Sequence, residues 1–128
     1  MAIKATYYGA NGWLVELDET RILIDPWLNG DLTFPPGDWL IKGELDREIE
    51  VPIDINFLLL TQGQADHAHP PTLEKINKAI PVIASQAAGN VVKQIGFTKI
   101  HTLKPGEIFK NNNLKIQATS GASVPNIE

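Results

Sequence analysis

Apolar and polar positions alternate in short runs along the first quarter of the chain, and glycine, proline and asparagine break the runs. Residues 3–8 carry the β-formers Ile3, Thr6, Tyr7 and Tyr8, and Gly9-Ala10-Asn11-Gly12 interrupts them. Trp13–Leu17 reads as a second strand, Asp18-Glu19-Thr20 as a turn, and Arg21–Ile24 as the returning strand of a hairpin. Asp25-Pro26 stops it, because proline has no amide hydrogen for a ladder. Ile55–Leu60 is nearly all apolar, the pattern of a strand covered on both faces.

A different period follows. Pro70-Pro71-Thr72 can open a helix, and Leu73, Ile76 and Ile80 fall at i, i+3 and i+7, so a helix is predicted up to Pro81. Val82–Ala84 is a short strand. Ser85 is placed to cap a second helix with Ala88, Val91, Val92 and Ile95 on one face and Gly96 at its end. Residues 99–103 form another strand. After the Pro105-Gly106 turn, 107–110 and 114–119 pair across Asn111-Asn112-Asn113. The expected fold class is α/β (α+β), one domain over 1–128, with a mixed sheet and its helices on one face.

The segment 28–52 breaks both periods. It is rich in proline, glycine and acid, and it reads as one long surface loop. Loops of that length are often lids or interface segments, and a long loop anchored by Phe34 and Trp39 fits the composition equally.

Composition narrows the function. The chain has 128 residues, 43% of them apolar and 20% charged, enough to build one real core. A net charge of −4 with no basic run speaks against binding nucleic acid or an anionic membrane. No apolar run reaches the roughly 20 residues of a membrane helix, and the N-terminus lacks the apolar segment of a signal peptide. The absence of cysteine rules out thiolate ligands and nucleophiles and suits a cytoplasmic protein.

The chemistry-bearing side chains cluster after the buried strand, in Thr61-Gln62-Gly63-Gln64-Ala65-Asp66-His67, with His69 two positions on. Elsewhere the signals are weak. His101 lies mid-strand among apolar neighbours, and Ser120 and Ser123 have no base partner.

"TQGQADH" between a buried strand and a helix resembles the signature T-H-x-H-x-D-H of the metallo-β-lactamase superfamily. "RILIDPWL" upstream and "PVIASQAAGNVVKQIGFTKIHTLKPGE" downstream are similar to segments of its metal-dependent hydrolase branch. "LKIQATSGASVPN" is similar to the segment where the family places a T-x-G-H ligand. The resemblance implies the N-terminal half of a four-layer αββα sandwich. It also implies that the first metal position is altered. The two signature histidines are Gln62 and Gln64 here, and the later histidine aligns with Ala122. Asp66 and His67 stand where two ligands of the second metal would be, and the remaining ligand would lie past Glu128. Asp25 matches an aspartate that supports the signature loop through hydrogen bonds.

These substitutions have chemical consequences. Imidazole nitrogen is a good zinc donor. An amide nitrogen is no ligand, and an amide oxygen is a weak, hard donor. Losing the leading imidazoles should abolish tight zinc binding at the first position, and with it the activated water of hydrolysis. Asp66, His67 and His69 together could still hold a cation. Alternatively, Asp66 accepts hydrogen bonds from Gln62, Gln64 or loop amides, or caps the next helix.

The leading expectation is a metallo-β-lactamase-like half-domain with a degraded metal site and no tightly bound metal, inactive as this chain and serving binding or assembly. The alternative is an active hydrolase of esters, lactones or phosphodiesters that uses zinc or another divalent metal. It would bind it through Asp66, His67 and ligands from a missing half or a partner chain. A third is a structural half-domain with 28–52 as its contact surface. A half-sandwich leaves one apolar sheet face open, so a homodimer packed sheet to sheet, or a C-terminal half, is expected to cover it.

Overall fold

In the computed structural model, which describes residues 2–34 and 42–121, the alternating opening segment folds as an antiparallel meander. Strands β1 (Ile3–Gly9), β2 (Gly12–Leu17) and β3 (Thr20–Ile24) pair in chain order. Asp18, with φ of 52°, turns the chain between β2 and β3, a left-handed conformation that aspartate tolerates. Two short strands, β4 (Leu32–Thr33) and β5 (Lys42–Gly43), then form their own antiparallel pair. The expected 28–52 loop therefore contains regular pairing. Leu28 and Leu32 are buried and anchor it, whereas Trp39 lies outside the described residues.

Beyond β3 the main sheet becomes parallel. β6 (Phe57–Leu60) pairs with β3, then come α1 (Pro70–Leu73), β7 (Val82–Ala84), α2 (Gln86–Ile95) and β8 (Ile100–Thr102). β7 pairs with β6 and β8 with β7, both parallel, so the six-stranded order is β1-β2-β3-β6-β7-β8. The mixed α+β sheet matches the sequence expectation. The last hairpin, β9 (Ile108–Asn111) and β10 (Leu114–Gln117), is a separate pair.

Register decides which side chains share a face. Leu14, Leu23, Leu58 and Val82 form one row across the sheet, all buried. They pack with Leu73, Ile76, Ala88, Val92 and Phe97 in the main core. Each fully buried leucine contributes about 2 kcal/mol by leaving water. The row Trp13, Ile24, Leu59 and Ile83 faces the other way. Here β9 and β10 lay Phe109, Leu114 and Ile116 over Ile22, Phe57 and Ile83, with the Phe57 and Phe109 rings 5.7 Å apart. That cover reaches Leu17 but stops short of β1 and the start of β2. Tyr7 and Trp13 are 55% and 39% exposed with ring centroids 4.7 Å apart, and Ile3 is 66% exposed.

The two helices differ in how well their sequence pattern held. α2 begins as expected, with Ser85 Oγ accepting from the Ala88 amide, and ends at Gly96 with φ of 116°. The predicted helix to Ile80 instead closes after one turn at Leu73. The Lys78 ammonium donates to the carbonyls of Leu73, Glu74 and Ile76, and Asn77 Oδ1 accepts from the Ala79 amide. These side chains offer the backbone partners that a helix would have supplied. Tight turns still bury Leu73 and Ile76, so the apolar spacing is satisfied without a helix.

Candidate functional site

Three segments converge at the carboxyl end of the parallel strands, the edge where open α/β sheets build sites. Asp25 directly follows β3, and Thr61 follows β6. Asn11 sits in the β1–β2 turn, and Asp66 and His67 lie in the turns before α1.

Asp25 is 3% exposed and takes φ of 42° while its amide bonds the Leu59 carbonyl at 3.0 Å. Its Oδ1 accepts from the Thr61 amide at 2.8 Å, and its Oδ2 accepts from the Thr61 hydroxyl. The same Oδ2 lies 2.8 Å from His67 Nδ1. A carboxylate only accepts, so Nδ1 carries a proton toward Asp25 and Nε2 is the ring nitrogen turned toward Asp66. Asp25 therefore orients the imidazole from behind, as carboxylates do for metal-binding histidines.

His67 Nε2 faces Asp66 Oδ2 at 3.6 Å and Asn11 Nδ2 at 3.4 Å. The Asn11 amide donates to the Asp66 carbonyl at 3.0 Å and to Asp66 Oδ2 at 3.3 Å. Asp66 Oδ1 is buried and has no hydrogen-bond partner among the described residues.

The donor on Asp66 is thus Asn11 rather than Gln62 or Gln64, which are both exposed. Nor does Asp66 cap α1. The N-cap position is His69, and it makes no side-chain cap bond. Between the glutamines, Gly63 packs against α2 so closely that a Cβ there would stand 2.8 Å from Ala87 Cβ. Ala122 and Ser123 lie outside the described residues.

His69 stands apart from this group. It is buried, with Nδ1 2.8 Å from Thr72 Oγ1 and Nε2 2.8 Å from the Asp31 carbonyl. The Leu28 amide donates to Thr72 Oγ1 at 3.0 Å, so the Thr72 hydroxyl donates to Nδ1 and Nε2–H donates to Asp31. Burial pushes the His69 pKa below its ordinary value, and the bond to Asp31 opposes that. Both ring nitrogens are engaged in tying the 28–31 segment to α1. No group of three histidine, aspartate or glutamate side chains is arranged to hold a metal among the described residues.

Asp25, Asp66 and His67 were legible as candidates. Thr61 heads the same cluster in sequence, but its bond to Asp25 and the place of Asn11 carry no local signal. Asn11 reads as an ordinary turn residue, and Asp66 is 55 positions away. His101 is exposed and leans on Phe109, with ring centroids 5.0 Å apart, away from the site. An apolar cleft of about 280 Å³, lined by Leu59, Ile83, Leu103 and Ile116, opens beside Thr61 and Ser85.

A family model described as a beta-lactamase superfamily domain matches residues 4–126. The chain belongs to this superfamily. A metal-dependent hydrolase from Paracoccus denitrificans is 30% identical over 110 residues, which are 81% of this chain and 44% of that one. Another from Cereibacter sphaeroides is 28% identical over 81 residues, 63% of this chain and 31% of the relative. The chain spans less than half the length of these curated relatives. Among solved structures, a possible metal-dependent hydrolase from Veillonella parvula aligns over 89% of this chain and 47% of its own. Its TM-score is 0.63 at 15% identity. CmlA, a diiron beta-hydroxylase from Streptomyces venezuelae, aligns over 92% of this chain and 24% of its own with a TM-score of 0.66 at 22% identity. These likenesses show the fold, and the superfamily expected from "TQGQADH" is the one found.

The superfamily implies a divalent metal, and the two candidate positions differ in fitness. At the first, Gln62 and Gln64 present exposed amides, and these side chains do not suit zinc. At the second, an imidazole oriented by Asp25 and a carboxylate with one unpartnered buried oxygen are donor types that suit a cation. Among the described residues, no helix is long and apolar enough to cross a membrane.

Proposed function

We propose that this chain is a metallo-β-lactamase-fold module that has lost its first metal position and works by binding and assembly rather than by two-metal hydrolysis, a pseudoenzyme by descent. The observation that carries this reading is the placement of Gln62 and Gln64, exposed amides on the loop that otherwise holds Asp66 and His67 in order. A two-metal site places its ions about 3.5–4 Å apart and clamps both the attacking and leaving oxygens. With no imidazole at the leading pair, that clamp has no first ion. The lack of cysteine supports a cytoplasmic setting.

The surface proposed for assembly is the open sheet face at β1 and β2, where Ile3, Tyr7 and Trp13 are exposed beside the part that β9 and β10 cover. A second copy packed sheet to sheet would bury it, as would a C-terminal half in a longer protein. The test is turnover of model phosphodiesters, esters and lactones in the presence of zinc or manganese. No turnover above background is expected, and chelator-sensitive hydrolysis by this chain overturns the reading.

One observation favours a second reading, an active metal-dependent hydrolase. Asp25 orients the His67 ring toward Asp66, and the relatives described as metal-dependent hydrolases are more than twice as long as the region matched. In this reading Asp66, His67 and ligands from a partner or a longer chain hold one metal, which would supply an activated water. A chain extended past Glu128 that hydrolyses such substrates, and loses the activity in Asp66→Ala, establishes it.

A further inference from the structure

Asn11 Nδ2, Asp66 Oδ2 and His67 Nε2 form a nearly equilateral triangle, with edges of 3.3, 3.4 and 3.6 Å. The circle through three such corners has a radius of about 2.0 Å, the length of a bond from zinc to nitrogen or oxygen. An ion near the centre of this triangle reaches all three corners. One corner is a carboxylate oxygen and another an imidazole nitrogen, both atom types that bind divalent metals. The third is the NH₂ of an amide, and half a turn about the terminal bond of Asn11 puts its carbonyl oxygen there instead.

Donor and acceptor arithmetic favours a cation at this spot. The two hydrogens of the Asn11 amide face two acceptors, the Asp66 carbonyl and Asp66 Oδ2. Asp66 Oδ1 adds a third acceptor, buried and unpartnered among the described residues. A pocket with more acceptors than donors is short of positive charge, and a cation supplies it.

We propose that Asn11 is the third protein ligand of a single divalent-cation site with Asp66 and His67, its amide acting as a two-position switch. Without a cation the NH₂ donates to Asp66. With one, the carbonyl oxygen coordinates, and the hydrogen bond to the Asp66 carbonyl is given up. One nitrogen and two oxygens form a mixed donor set that suits zinc or manganese, with water completing the shell. The ion would tie the β1–β2 turn to the signature loop, joining segments 55 positions apart. This rests on the reading that the second metal position is intact while the first is lost.

The experiment titrates the purified chain with Zn²⁺ by calorimetry and with Co²⁺ by visible absorption. Thermal melts check that each variant is folded. One Zn²⁺ per chain is expected, with loss of binding in Asp66→Asn and His67→Gln. Asn11→Leu should weaken binding about 10–100-fold, and Asn11→Asp, which adds a charged oxygen at the same corner, should tighten it about tenfold or more. The Asn11 side-chain NH₂ resonances should shift when Zn²⁺ binds. If Asn11→Leu binds like the wild type while Asp66→Asn does not, the pair holds the ion without Asn11 and the proposal fails. It also fails if the wild type takes no Zn²⁺. Should Asn11→Leu not fold, an Asn11→Asp variant without tighter binding overturns it. None of these outcomes depends on turnover, so hydrolysis tests the functional reading separately.

Discussion

His67 Nδ1 stands 2.8 Å from Asp25 Oδ2, a contact between residues 42 positions apart that holds the signature loop against the end of β3. The same carboxylate takes the Thr61 amide and hydroxyl, so one buried side chain organises both strand ends. Asp25 does this from a left-handed backbone that few residue types accept.

Asp25→Ala strips the Thr61 amide and His67 Nδ1–H of their acceptor and places alanine at positive φ. The expected loss of stability is about 3 kcal/mol, since each buried donor left unpaired costs about 1–3 kcal/mol. Asp25→Asn keeps an acceptor for the Thr61 amide and tolerates the backbone, so it should lose about half as much. Urea unfolding of the three proteins checks the order, and a wild-type-like Asp25→Ala would show that the contact is dispensable.

Acid should weaken the fold through His69. Its folded pKa lies below the ordinary 6.5 because it is buried. As pH falls, the unfolded chain takes up the proton before the folded one does. The contribution of neutral His69 is therefore complete above 6.5 and is lost progressively below it. Unfolding midpoints at about pH 7.5 and about pH 5.5 should separate more in the wild type than in His69→Gln, which has no proton to take up there. Equal separations would count against this.

Gly63→Ala would bring a Cβ to 2.8 Å from Ala87 Cβ and 3.0 Å from the Ala87 carbonyl carbon. The loop has to move off α2, at a cost of about 1–3 kcal/mol. Ala87→Gly should recover part of the loss, because one of the two close atoms disappears. Thermal melts of the single and double variants measure it. Additive effects would mean that the two sites do not touch.

If the open face carries assembly, Trp13→Lys should disrupt it while leaving the buried row of Leu14, Leu23, Leu58 and Val82 alone. Trp13 is 39% exposed, and its ring lies tilted against Tyr7. Sedimentation at micromolar concentration should find a dimer in the wild type and a monomer in the variant. A monodisperse wild-type monomer removes the second-copy reading.

Much of this architecture was readable from local pattern. Alternation placed β1, β2 and β3, the apolar run placed β6, and Ser85 with Gly96 bracketed α2. "TQGQADH" pointed to the superfamily and to Asp66 and His67. These features are written in neighbouring residues, because strand and helix periods and caps depend on groups a few positions apart. Other features lay outside local pattern. Leu73, Ile76 and Ile80 keep a helical spacing, yet the Lys78 ammonium takes the carbonyls and turns replace the helix. His69 resembled a ligand, but Thr72 and Asp31 take both its nitrogens. Asn11 looked like one more turn residue until strand order set it beside Asp66 and His67. Hydrogen bonds need partners within about 3 Å. For side chains 40 to 55 positions apart, register and strand order set that distance, and neither can be read from the residues next to them.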